Sequence, residues 1–239
     1  MKFVLSRISA LVILSCSAMF LGSARAQDSN TYLYVAHAAS GRNISATANP
    51  AYPIDISANG VCIVKGEPFG AIAGPFTGPA GDYAFDVSIA NTGAPCSNPP
   101  VFTVSPVSLG AGTTYFGIVT LDASNNVTGQ IYPADFSIIP PGHSRVMIAN
   151  ATGQNLTAAL KGDTDMDNAV NITAGTIEEA SLVSGRYTGA IYLEGTKTLE
   201  AGPTSVDAMS RDFYFYVLAG SASNNSVQII GPKLIKDVF

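Results

Sequence analysis

No tryptophan occurs among the 239 residues, only two histidines and three cysteines are present, and charged side chains make up 12% of the chain. Each shortage removes a class of chemistry. Without tryptophan the chain lacks the amphipathic ring with the largest stacking face. His37 and His143 stand in no HExxH spacing, and no CxxC pair occurs, so neither a zinc site nor a redox motif is supported. No Gly-x-Ser-x-Gly elbow is present, and nothing marks a serine nucleophile or an orienting carboxylate for either histidine. A structural histidine within a strand is the expectation for His37, and no catalytic residue is assigned. Lys and Arg together number 12 against 17 Asp and Glu, which disfavours nucleic acid and anionic membranes as partners. Long helical periodicity is also missing. Outside the N-terminus, no apolar run is long enough to span a bilayer.

The N-terminus itself is informative. Lys2 and Arg7 lead into an apolar run, residues 8–22, that closes on Ser23-Ala24-Arg25-Ala26. That pattern predicts a secretory signal peptide, residues 1–26, cut between Ala26 and Gln27. Its 15 apolar-run residues fall short of the roughly 20 that a spanning helix needs. Cys16 follows Ile13-Leu14-Ser15 in a loose likeness of a lipoprotein cleavage box, although bulky Leu14 argues against lipid attachment. Cleavage would take Lys2, Arg7 and Arg25 away and shift the net charge from −5 to −8. Cys62 and Cys96 would then remain as an even pair in an oxidising compartment, which predicts a disulfide. In the chain-entropy view such a bridge contributes about 3–4 kcal/mol. The expected location is extracytoplasmic, either periplasmic or secreted.

The remainder alternates in the manner of strands. Tyr83, Phe85, Val87 and Ile89 point one way while Ala84, Asp86 and Ser88 point the other, after a Pro79-Ala80-Gly81 turn. Ile54-Asp55-Ile56-Ser57-Ala58, then Asn59-Gly60, then Val61-Cys62-Ile63-Val64 predicts a tight hairpin, since Asn-Gly supplies positive φ angles. The run 114–121 is apolar on both faces and predicts a central strand, while Pro106 breaks pairing or marks an edge. Ser40 to Pro53 is a polar loop, and residues 176–182 have room for one helical turn at most.

The pieces recur. Residues 145–151 echo 33–39, residues 156–162 echo 54–60, residues 199–202 echo 109–112, and residues 213–218 echo 115–121. Val35 to Val146 sets a repeat of 111 residues. Ile138-Ile139-Pro140-Pro141-Gly142 reads as a linker. The chain is therefore expected to be all-β, with two tandem immunoglobulin-like β-sandwich domains, 27–138 and 143–239.

Several short motifs in fixed order resemble a bacterial family, domain of unknown function 4397: residues 35–38, Ile54 to Gly60, Phe69-Gly70, Pro79 to Tyr83, and Leu109 to Tyr115. The resemblance covers about residues 32–135, with a degenerate copy over 144–231 that lacks the Asn-Gly hairpin. It implies an extracytoplasmic immunoglobulin-like sandwich, often in tandem, and carries no catalytic residues with it.

Four further groups are candidates. Asp163, Asp165 and Asp167 begin like an EF-hand, but Asn168 and Ala174 stand where that loop needs Gly and Glu. A looser calcium site completed by Glu178 or Glu179 is the remaining option, with a solvated loop as the plain alternative. Gly81-Asp82-Tyr83 suggests a tyrosine corner, whose hydroxyl bonds back to nearby backbone. Tyr32, Tyr34, Tyr214 and Tyr216 offer a sugar-stacking surface if exposed, and core if not. Asn43, Asn126, Asn155 and Asn171 open Asn-x-Ser/Thr triplets, glycan acceptors only in a eukaryotic secretory route. The functional expectation is a non-enzymatic structural or adhesion-type protein, its partner a protein or cell-envelope polymer, with a glycan- or calcium-binding module as the alternative. No cofactor is implied.

Overall fold

The computed structural model describes residues 29–122, 124–163, 168–220 and 227–235. Short alternating runs punctuated by Gly, Pro and Asn become strands throughout. The first half forms β1 (Asn30–His37), β2 (Ile54–Ala58), β3 (Val61–Glu67), β4 (Ile72–Pro79), β5 (Gly81–Ile89), β6 (Pro100–Leu109), β7 (Thr114–Leu121) and β8 (Val127–Pro133). The second forms β9 (His143–Asn150), β10 (Leu156–Gly162), β11 (Asn168–Ile172), β12 (Ile177–Val183), β13 (Gly185–Leu193), β14 (Leu199–Ala208), β15 (Phe213–Ala219) and β16 (Gln228–Ile235). Among the described residues the only helix is α1 (Gly41–Ile44), a single turn in the polar loop after β1.

Each half builds two facing four-stranded sheets. The first half has β4-β1-β7-β8 over β3-β2-β5-β6, and the second has β12-β9-β15-β16 over β11-β10-β13-β14. Counted from each half's first strand, the two orders are the same. The architecture is the expected sandwich. Its connectivity places β1 and β2 in opposite sheets, whereas the immunoglobulin constant-type order keeps the first two strands together. β1 pairs parallel with β7, and β9 pairs parallel with β15, in otherwise antiparallel sheets.

Three apolar layers separate four sheets. Leu33, Val35, Ile54, Ile56, Phe85, Val87 and Val119 fill the first sandwich. Val146, Ile148, Leu156, Tyr187, Tyr216 and Leu218 fill the second. A third layer joins the halves: Tyr34, Ala36, Phe116 and Ile118 meet Met147, Phe213, Phe215 and Val217, with Ile139 of the linker among them. Phe116 and Phe215 stack with centroids 3.9 Å apart, and Phe136 leans on Phe213 at 4.9 Å. This layer accounts for the doubly apolar run at 114–121. Alternate residues leave opposite faces of a strand, and here each face meets a core.

Arg145, 9% exposed, fastens the linker above that layer. Its Nε lies 2.7 Å from Glu179 Oε1, one terminal nitrogen donates to Ser137 Oγ at 2.8 Å, and the other donates to the Asp135 carbonyl. The linker is thus clasped, with Ile139 buried and Ile138 89% exposed.

Exposed sheet edges invite pairing with other chains, and proline there removes a donor. Four edge strands follow this rule. Gly74-Pro75 on β4, Ser105-Pro106 on β6, Gly202-Pro203 on β14 and Gly231-Pro232 on β16 each lie at a register shift opposite the inner neighbour. The three glycines are required by close approach: a Cβ on Gly74, Gly202 or Gly231 would sit 2.7–2.8 Å from a carbonyl oxygen of the adjacent strand.

Several expectations are corrected. Residues 177–183 form β12, because Glu178, Ala180 and Leu182 pair with Ile148, Val146 and Ser144 of β9. Pairing across a sheet overrides the weak helical preference of Glu and Ala. Residues 72–79 form β4 despite two glycines and two prolines. The repeat of 111 does not hold: Leu33 pairs with Tyr115 as Val146 pairs with Tyr214, so the counterpart of Val35 is Ile148 rather than Val146. Residues 199–202 do not correspond to 109–112 either. Gly81 pairs with Leu109 and Gly185 with Ala208, which makes Ala208 the counterpart of Leu109.

Candidate functional site

The side chains with most chemical potential are tied to backbone. His37, at the end of β1, is fully buried. Its Nδ1 accepts from Ala39 N at 3.3 Å, so Nε2 carries the proton and donates to the Tyr52 carbonyl at 2.7 Å. Burial pushes its pKa down to about 4 against the opposing pull of that carbonyl. Asn150 takes the same position in the second half: its Oδ1 accepts from Thr152 N, and its Nδ2 donates to the carbonyls of Gln154 and Ile172. Two chemically different side chains close the same strand end. His143 lies elsewhere, with Ser181 Oγ 3.5 Å from its Nδ1.

The expected disulfide is present, Cys62 Sγ to Cys96 Sγ at 2.13 Å, joining β3 to the loop after β5. Beneath it Asp55, 1% exposed, accepts N–H bonds from Gly66 at 2.7 Å, Cys96 at 2.8 Å and Asn91 at 3.1 Å. Burial alone would raise its pKa; the three N–H donors and Lys65 nevertheless hold it below the ordinary value. The carboxylate is therefore the anchor of a loop. Sequence pattern could not find this role, since it depends on donors spread from residue 66 to residue 96.

The tyrosine corner forms as a pair. Tyr83 donates to the Pro79 carbonyl at 2.6 Å and Tyr187 to the Val183 carbonyl at 2.7 Å. A second pair closes the turn before the penultimate strand of each half: Tyr115 accepts from Gly110 N, and Tyr214 accepts from Met209 N and donates to the Asp207 carbonyl.

Tyr34, Tyr214 and Tyr216 are at most 7% exposed, so with Tyr32 they form no open stacking surface. They belong to strands whose two faces both meet a core. Of the calcium candidates, Asp163 is described and exposed, while Asp165 and Asp167 lie outside the described residues, as do Cys16, Ala26 and Gln27. Asp163 helps hold the Arg186 guanidinium charged, behind the larger influence of Asp207. Glu179 is engaged by Arg145, and Glu178 lies beyond the far end of β11 from Asp163. Asn155 and Asn171 serve turns and strands, Asn155 Oδ1 accepting from Ala174 N and Asn171 Oδ1 from Thr157 Oγ1.

One concave feature lies at the seam between the halves. On β7 and β8 the seam face runs from Phe116 and Tyr132 through Ile118 and Gln130 to Thr120 and Thr128, paired in that order. It is aromatic at one end and polar at the other. Where the polar end faces Asn150, Ala151, Gly153, Ala174 and Gly175, the sheets part and leave a cleft of about 360 Å³. Two bonds cross it: Thr120 Oγ1 donates to the Ala151 carbonyl at 3.0 Å, and Tyr132 donates to the Gly175 carbonyl at 2.5 Å. Asp122 stands at the mouth. Asn126 N–H and side-chain amide, then Ser124 N–H, hold its carboxyl below the ordinary range. No Lys or Arg lines the cleft among the described residues.

No family model matches the chain, and no curated protein matches it. Among solved structures, the Bacillus anthracis TIE protein aligns over 80% of this chain and 34% of its own length, at 15% identity and a TM-score of 0.24. A provisionally assigned cell adhesion protein from Bacteroides ovatus aligns over 87% of this chain and 99% of its own length, at 9% identity and a TM-score of 0.28. The chain thus spans about a third of the first structure and nearly all of the second. Likeness this loose carries no argument about role.

Proposed function

We propose that this protein is an exported, non-enzymatic element of the cell envelope, acting in structure or attachment, and a divergent tandem member of the domain of unknown function 4397 family. The observation that carries the reading is the apolar layer of Tyr34, Phe116, Met147, Phe213 and Phe215, through which the two sandwiches share one core. Support comes also from the disulfide, which belongs to oxidising compartments. The ionisable groups fit the same picture: His37, Asp55 and the four clamp tyrosines hold backbone in place rather than facing a common cavity. No described helix is long and apolar enough to cross a membrane. The partner in this reading is an envelope polymer or a surface protein.

Cell fractionation combined with co-sedimentation tests it. The mature chain is expected outside the cytoplasm and in the pellet with isolated envelope polymer. A cytoplasmic location would overturn the proposal, and so would turnover of ester, glycoside or phosphoester substrates by the pure protein.

A further inference from the structure

We infer that the seam cleft is a binding site for a neutral saccharide, one or two sugar rings in size, which deepens the envelope reading and rests on it. The volume of about 360 Å³ falls at the lower end of the roughly 300–1,000 Å³ typical of small-molecule sites. The floor is apolar, from Ile118 and Ala151, and the walls carry hydroxyl and amide groups. Thr128, Gln130 and Tyr132 leave the same face of β8, two residues apart. The Gln130 side-chain amide touches the Tyr132 hydroxyl, whose single proton goes to Gly175. Among the described residues the Thr128 hydroxyl and the remainder of the Gln130 amide have no partner, so amide and hydroxyl groups face open space.

The bond from Tyr132 to Gly175 fixes the ring across the seam, giving a preset wall against which the C–H face of a sugar packs. Gly153 and Gly175, at φ 76° and 74°, hold the opposing turns in the left-handed region that favours glycine, with no side chain over the backbone. Charge selects further. With Asp122 anionic at the mouth and no basic side chain in the lining, phosphate, sulfate and carboxylate ligands are disfavoured. What matches apolar floor, paired donors and acceptors, and absent positive charge is a polyhydroxylated, uncharged ring.

The test is an array of neutral and anionic oligosaccharides probed with the full mature chain, followed by titration of soluble neutral di- and trisaccharides of glucose, galactose, mannose and N-acetylglucosamine. Binding to neutral members is expected. The double variant Thr128→Val with Gln130→Leu, on an edge strand and therefore tolerated by the fold, should weaken it by about 10-fold or more, because two hydrogen bonds are lost. Tyr192→Ala, on the far outer sheet, should leave it unchanged. A silent array, a preference for anionic glycans, or equal loss in the Tyr192 variant overturns the inference. If the chain co-sediments with envelope while the array is silent, the cleft inference fails and the attachment reading stands. If sugars bind through the cleft but no co-sedimentation occurs, the reverse holds.

Discussion

The two halves answer the same folding problem with different side chains. At the end of the first strand one half uses His37 and the other Asn150, and both accept an N–H from two residues on. At the corner both use tyrosine, yet Tyr187 is fully buried while Tyr83 reaches the surface. On the outer sheet they part. The first half covers β2 with a disulfide-tied loop around Asp55. In the second, Thr157 takes the equivalent place and bonds only to exposed Asn171. A duplicated fold therefore needs hydrogen-bond acceptors at set places more than it needs particular residues. The identity of each acceptor decides how its half responds to pH and redox conditions.

That comparison can be broken or sharpened by experiment. Truncating the shared layer should have the largest effect: Phe215→Ala is expected to cost about 3–5 kcal/mol and to split one melting transition into two. A single unshifted transition would show that the halves do not depend on this layer. Replacing Cys62 and Cys96 with serine should destabilise the first half by about 3–4 kcal/mol and leave amide exchange in the second half unchanged.

Acid should also act on one half. The folded pKa of His37, about 4, lies below its unfolded value near 6.5, so the unfolded state binds the proton first. Stability from this group is complete above about pH 6.5 and declines toward pH 4, by roughly 3 kcal/mol at the limit. His37→Asn, copying Asn150, should flatten that dependence in urea titrations; an unchanged slope would assign it elsewhere. The smallest contrast concerns the corners. Tyr187→Phe breaks a part-buried bond made from a fully buried ring and is expected to cost about 1–3 kcal/mol, whereas Tyr83→Phe, whose bond is exposed, should cost about 0.5–1.5 kcal/mol. Equal melting shifts would remove burial as the cause.

Much of the fold was legible because its signals are local. The Asn59-Gly60 hairpin, the alternation of residues 83–89 and the tyrosine at the first corner are readable from nearest neighbours, and the cysteine pair from its even count. The misread elements are those set by distant partners. β12 is a strand because β9 lies beside it. The echo of residues 145–151 with 33–39 was off by one place, and a one-residue slip exchanges the faces of a strand. Corrected, it directs Arg145 to the seam and the linker rather than into a core. The tyrosines at 34, 214 and 216 looked available for stacking because aromatic strands look alike whether one face or both are buried. The seam cleft was invisible, since its lining is drawn from both halves.

By itself the sequence determined that the chain forms short strands and that glycine and proline turn and guard them. Those outcomes depend on steric limits and side-chain alternation within a few residues. Only the tertiary structure decided that the two sandwiches share an apolar layer, that this layer opens into a polar cleft beyond Ile118, and that His37 and Asp55 hold backbone in place. Each of those depends on which atoms distant segments bring together, and burial and hydrogen bonding are properties of that assembly rather than of any one stretch.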